Sequence, residues 1–172
     1  MEKESDQSKF IIQRFDTYIS GANTKGSFLL AFNTFVVGGI IANYKNLKEL
    51  IEKPCGIMLL NVLLISICVF ALIATILIMK AVYPFLKSGN SINQKYHSHI
   101  FFGSVAEFKN DVKFLESYQK QTDAMVNEDL ARQVYQLAKG VQHKYQQLTW
   151  AMIIVYIELF ILFLILLLII IN

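Results

Sequence analysis

Charge is scarce in this sequence. Only 17% of its 172 residues are Asp, Glu, Lys or Arg, while 55% are hydrophobic, a balance too apolar for an average soluble domain that places part of the chain in lipid. Cysteine is scarcer still. Cys55 and Cys68 are the only two, and one helix running through both would hold them beyond disulfide reach. Cys68 then reads as a small apolar residue inside the bilayer. Zinc-ligand spacing, a phosphate-binding glycine loop, a dinucleotide fingerprint and a nucleophile elbow are all absent, which argues against an enzyme and implies no cofactor. His97 and His99 stand two residues apart, His143 is remote and no cysteine is near them, so no metal site is expected. Internal repeats and low-complexity tracts are also missing.

What the chain has instead is long apolar runs. Residues 26–42 and 56–79 carry no charge, and 151–171 carry only Glu158. A spanning helix needs about 20 apolar residues, so the second and third runs are comfortable and the first is short unless flanking Asn23, Thr24, Asn43 and Tyr44 extend it. The sequence therefore predicts an all-α membrane protein with three transmembrane helices at 26–42, 56–79 and 149–172. A cytosolic amphipathic helix at 1–25, a short outer loop at 43–55 and a cytosolic helical segment at 80–148 complete it. Lys and Arg number four before the first span, three in the loop 43–55, nine in 80–148 and none after the third span. The positive-inside rule puts the N-terminus and 80–148 in the cytoplasm. Tyr44, Tyr83 and Trp150 fall at span ends, where interfacial aromatics belong. The charged first 25 residues are too long and too acidic for the leading region of a cleaved signal peptide.

Ile11, Phe15, Tyr18 and Ala22 recur at helical spacing before the first span, which marks one apolar stripe. Gly21 and Gly26 invite a bend near the membrane entry. The stretch YPFLKSGNSINQK (83–95) breaks the helical pattern after the second span. Ser104 and Glu107 then have capping-box spacing, ahead of a helix with stripe Val105, Phe108, Val112 and Leu115 that ends near Lys120. From about Asn127 the stripe Leu130, Val134, Leu137, Val141, Leu148, Ala151 and Val155 runs without proline into the third span. It predicts one helix of about 68 Å from cytosol through membrane.

Glu158 lies on that stripe, three residues after Val155 and four before Leu162. An ionisable residue at this depth costs about 2.5 to 3.5 kcal/mol on insertion scales, so it faces protein and seeks a polar partner. Glu158 is eight residues past Trp150 and Asn33 is eight past Lys25, so both lie roughly 12 Å into the bilayer. Thr34 is adjacent, and Ser66 on the second span falls within about a turn of that level. Three readings stay open: polar glue between helices or subunits, the lining of an ion route, or proton-coupled transport. The last is disfavoured by a three-helix chain without paired broken segments.

Segment 80–148 holds nine Lys or Arg beside ten aromatics, a combination suited to a phosphate-and-base ligand, although a solvated charged face over an aromatic core explains it as well. Here a resemblance enters. ANTKGSFLLAFN at 22–33, HIFFGSVAEF at 99–108 and NEDLARQVYQLAKGVQHKYQQL at 127–148, in this order around three spans, resemble the transmembrane effector family of bacterial Pycsar anti-phage defence. That family often has an acidic residue where this chain has Asn23, and another where it has Ser104. The resemblance implies an inner-membrane protein, inactive until a partner cyclase makes a cyclic pyrimidine mononucleotide, cCMP or cUMP. It would sense the nucleotide in the cytosol, damage the membrane and so cause abortive infection. The sensing region maps onto Asn23, Lys25, Phe101, Phe102, Gly103, Gln133, Tyr135 and Lys144, with Asn33, Thr34 and Glu158 as an intramembrane polar contact. Its partners would be the bilayer, the nucleotide and further copies of itself, with no nucleic acid. Two alternatives remain at this point: a holin-like permeabilising protein, which needs no ligand, and a membrane scaffold that binds a protein partner.

Overall fold

A computed structural model describes residues 2–84 and 97–171, and within them it contains five helices and no strand. Three are long: α1 (Glu2–Glu49), α2 (Pro54–Val82) and α5 (Asp123–Ile171). All three are long and apolar enough to cross a bilayer. Two short helices, α3 (Phe102–Ala106) and α4 (Asp111–Tyr118), precede α5. The break expected over 83–95 falls largely on residues 85–96, outside the described residues.

The first helix is longer than the sequence pattern predicts. It passes through Gly21 and Gly26 without interruption and ends at Glu49, so neither the entry bend nor a loop over 43–55 is present. A glycine inside a helix costs about 1 kcal/mol relative to alanine, and packing overrides that cost at Gly26. A Cβ there would stand 2.7 Å from Val82 Cγ2, so this glycine serves close approach of α1 to α2 rather than a kink. At the far end the Asn43 side-chain amide donates to the Gly39 carbonyl at 2.9 Å, and Ile51 is buried in the adjoining core. The connection shrinks to residues 50–53, after which Pro54 opens α2 at a position that needs no backbone N–H. Tyr83 closes α2 with φ −52° and ψ 136°, the extended geometry favoured for a residue before proline.

The chain divides into two compact units. The bundle unit comprises Ala22–Tyr83 and Lys144–Asn172. Its interior is a set of stripes spaced by threes and fours: Ala22, Gly26, Asn33, Val36 and Ile40 on α1; Leu60, Leu64, Ile67, Ala71, Ala74, Ile78 and Ala81 on α2; Leu148, Ala151, Val155, Glu158, Ile161 and Ile165 on α5. One apolar layer joins Ala22, Ala81 and Leu148. A larger one joins Val36, Ile40, Leu60, Leu64, Ile67, Ile161 and Ile165. The outside of the bundle is apolar too, with Met58, Ile65, Leu72 and Met79 on α2 and Phe160 and Phe163 on α5 exposed. Such a surface is tolerable in lipid and is an aggregation hazard in water. The chain is an all-α membrane protein.

The polar unit comprises Met1–Gly21 and Pro84–His143. His97, His99, Phe108, Phe114 and Tyr118 form an aromatic cluster with ring centroids 4.9 to 6.2 Å apart. The expected cap at Ser104 is not used, because Ser104 lies inside the short α3. Asn110 caps α4 instead, its side chain accepting from Lys113 N at 2.9 Å. Thr122 closes the start of α5, its carbonyl accepting from Val126 N at 3.0 Å and its hydroxyl oxygen from Met125 N at 3.4 Å. α5 thus begins four residues earlier than its apolar stripe predicts.

Candidate ligand-responsive residues and the intramembrane polar layer

Ala22, Tyr83 and Lys144 are the bundle-unit residues at which the chain divides into its two units, and the Lys144 side chain fastens Asn23, next to Ala22, to the end of α2. The C-terminus of α2 leaves backbone carbonyls without intrahelical partners. Lys144 is only 3% exposed, and its Nζ donates to the carbonyls of Ala81 at 2.6 Å, Tyr83 at 3.1 Å and Val82 at 3.3 Å, and to Asn23 Oδ1 at 3.1 Å. A cation at a helix C-terminus is favoured by the dipole and by the free carbonyls. Lys144 precedes the apolar run of the third span, and burial pushes its ammonium below the ordinary lysine value. The oxygen cage favours the charged form, which is the form that ties α1, α2 and α5 together. Two of the sequence-predicted ligand residues, Asn23 and Lys144, are therefore brought into contact, and their polar atoms face each other rather than solvent.

Lys25, one residue before Gly26, is exposed and holds its Nζ 5.6 Å from the centroid of the Tyr145 ring. This is a cation–ring pair within the bundle unit.

The remaining predicted residues belong to the polar unit. Ser98 is the centre of a buried network: its hydroxyl donates to Asp129 Oδ1 at 2.8 Å and accepts from Ile100 N, Phe101 N and Gln133 Nε2 at 3.2, 3.0 and 3.0 Å. Asp129 Oδ2 accepts from His99 N at 2.8 Å. Gln133 is therefore a brace for the segment leading into Phe101–Gly103. In that turn the Phe101 and Phe102 rings lie 4.8 Å apart. A Cβ on Gly103 would fall 2.6 Å from Phe101 Cε1, so glycine lets the Phe101 ring fold over the backbone. Phe102 and Tyr135 are exposed, and Lys139 Nζ stands 5.6 Å from the Tyr135 ring centroid. Beside Tyr135 a shallow depression is lined by Glu128, Ala131, Arg132 and Gln136.

Inside the bundle the expected Asn33–Glu158 hydrogen bond is not formed. Asn33 Nδ2 donates to the Ala71 carbonyl at 2.8 Å and to Thr75 Oγ1 at 3.1 Å. Asn33 Oδ1 and both carboxyl oxygens of Glu158 are buried without a hydrogen-bond partner among the described residues. Thr34 returns its hydroxyl to the Leu30 carbonyl, and Ser66 returns its own to the Val62 carbonyl, so neither joins the layer. The level of Asn33 on α2 is that of Ala71 and Thr75, beyond Ser66 by about two turns. Counting depth from the predicted edge of the second span missed this, because α2 runs on to Val82. Thr75, Ser98 and Asp129 were not singled out from sequence. Ser98 carried a readable signal, a serine three residues ahead of an apolar turn. Asp129 carried none, since a carboxylate in NEDLARQ looks like any solvated helix charge.

A family model described as the Pycsar effector protein domain matches residues 7–171. No curated protein and no solved structure matches the chain.

Proposed function

The chain belongs to the Pycsar effector family, and from that premise we propose that it senses a cyclic pyrimidine mononucleotide, cCMP or cUMP, and answers by breaching the bacterial inner membrane, so that the infected cell dies before phage matures. The observation that carries this reading is the family match over nearly the whole chain, joined to a bundle of three helices with an apolar exterior. The N-terminus and residues 80–148 lie in the cytoplasm, supported by thirteen Lys or Arg on that side against three on the other.

A cyclic phosphate carries one negative charge and a pyrimidine offers one flat ring. Both needs are met by an exposed cation–ring pair on α5, Tyr135 with Lys139 in the polar unit; in the bundle unit Lys25 on α1 stands over the half-buried Tyr145 ring. A charge-assisted hydrogen bond contributes about 1.5 to 3 kcal/mol, and a stacked base adds about 1 to 3. Lys144 has another task. Its hydrogens are already committed to four oxygens, so it holds the resting arrangement rather than greeting the ligand. A nucleotide acts only through its different affinities for two arrangements. α5 belongs to both units, and displacing it strains the Lys144 contacts and then the bundle below them. Several copies assemble to widen the breach, and no catalysis is required.

Co-expression with a pyrimidine cyclase tests the reading. A potential-sensitive dye should report depolarisation only when effector and active cyclase are both present, and Tyr135→Ala should blunt it at unchanged membrane level. Equal depolarisation without the cyclase would replace this reading with a holin-like one. No depolarisation in either case would leave a scaffold.

A further inference from the structure

Asn33 and Glu158 present an arrangement that bundle stability does not explain. Asn33 is 1% exposed and Glu158 0%. The two hydrogens of the Asn33 amide are spent on Ala71 and Thr75, which leaves Oδ1 as a bare acceptor. Glu158 adds two more oxygens, and none of the three has a donor among the described residues. Register places them together. Ala22 and Leu148 share the first apolar layer; Asn33 is eleven residues past the one and Glu158 ten past the other, a difference in height of about 1.5 Å. Val36 and Ile161, three residues further on each helix, share the second apolar layer. Three side-chain oxygens without partners among the described residues thus occupy one level of the bundle with apolar packing on either side. Replacing such groups with well-packed aliphatic side chains is generally neutral or stabilising. Every neighbouring position of the same stripes is apolar.

A carboxyl and an amide oxygen that the protein leaves without partners can meet a cation once water reaches them and the acid ionises. We propose that Glu158, with Asn33 Oδ1, lines the route by which ions cross once the bundle parts, and that its carboxylate makes the breach select small monovalent cations over anions. This rests on the membrane-breaching reading above and adds to it the identity of what passes. In the packed bundle the aliphatic layers on both sides close the route. When water enters between the helices, Glu158 becomes the one fixed charge on the third span, since 151–171 carries no other Asp or Glu and no Lys, Arg or His. A carboxylate at a constriction is the usual means of favouring cations.

The full chain, purified and fused into planar bilayers under a KCl gradient, provides the test, with cCMP and cUMP added in turn as probes. Wild type should show a reversal potential displaced toward that of potassium, corresponding to a cation preference of about tenfold or more. Glu158→Gln keeps the shape and removes the charge; it should bring the reversal potential close to zero without changing the nucleotide concentration for half-maximal current. Should that variant fail to insert, Asn33→Asp, which adds a carboxylate at the same level, should raise the preference above wild type. A nucleotide-dependent current whose ion preference is the same in wild type and in these variants would overturn the proposal and leave the membrane-breaching reading standing. Passage of a large anionic dye such as calcein would do likewise, because a rupture of that size does not select. Silence of the wild-type protein with both nucleotides would overturn the two together.

Discussion

Lys144→Met separates a tether from a ligand contact. Methionine keeps most of the apolar stem and removes the ammonium. A lysine has three hydrogens to give, and here they serve three carbonyls at the end of α2 and one on Asn23. At about 1.5 to 3 kcal/mol per charge-assisted bond, the gross loss would be about 4.5 to 9 kcal/mol. Two terms reduce it. The freed carbonyls at a helix end regain water, and the cost of burying the ammonium disappears with it. A net loss of about 2 to 3 kcal/mol remains, enough to move an equilibrium between packed and parted bundles by roughly 30- to 150-fold. The expected outcome is a protein that depolarises cells without any cyclase, at normal membrane level, and that lets potassium out of reconstituted vesicles without nucleotide. Asn23→Ala removes one acceptor of the four and should shift the same balance by less than about tenfold. If Lys144→Met is silent without nucleotide and stays silent with it, while wild type responds, Lys144 meets the ligand and the tether is refuted.

Three further outcomes follow from other parts of the structure. Gly26→Ala should lower thermal stability in detergent by an overpacking cost of about 1 to 3 kcal/mol, because its Cβ meets Val82 Cγ2 at 2.7 Å; Gly38→Ala, with nothing within 4 Å, should stabilise by about 0.5 to 1 kcal/mol, and equal melting points would contradict the packing argument. Ser98→Ala removes a donor from Asp129 and acceptors from Ile100 N and Phe101 N; hydrogen exchange at those two amides should quicken by about 2 kcal/mol in protection with the bundle unit unchanged, and unaltered exchange would show that the network is not what orders the turn. With both native cysteines replaced by serine, an impermeant maleimide added to intact cells should label Lys53→Cys and spare Lys120→Cys; the reverse pattern would invert the proposed orientation.

Much of the fold was legible because lipid imposes a coarse code. Charge-free runs must be helices, since the bilayer offers no water to backbone groups, and the spacing of Val155, Glu158 and Leu162 was enough to turn Glu158 inward. What remained hidden were features set by atoms that sequence does not rank. The partners of Asn33 are a backbone carbonyl and Thr75, and any residue type supplies the first. Gly26 reads as a hinge until its neighbour across the helix interface is known. Lys144 falls in the sensing region by resemblance, and only geometry shows the four oxygens around it. At Ser104 the capping-box spacing was genuine in letters and misleading in space, because Asn110 caps α4 while Ser98 holds the Phe101 amide ahead of α3, which has no side-chain cap.

The buried polar groups share a further property that bears on how a ligand could be heard. Asp129, Gln133, Lys144 and Glu158 are all buried and all lie on α5. Their positions continue the stripe of Gly140, Leu148, Ala151 and Val155, so one face of one helix presents them all. A turn of α5 by a single residue position, about 100°, would withdraw every one of them from its surroundings at once. Small rotations are therefore resisted within each unit, because intermediate positions leave Asp129, Gln133 and Lys144 without the partners they now have, each at about 1 to 3 kcal/mol. That arithmetic favours two discrete states over a graded response. On the proposed reading, a ligand need supply only the free-energy difference between those two states, and in the bundle unit the switch is the loss of the Lys144 bonds to the α2 carbonyls.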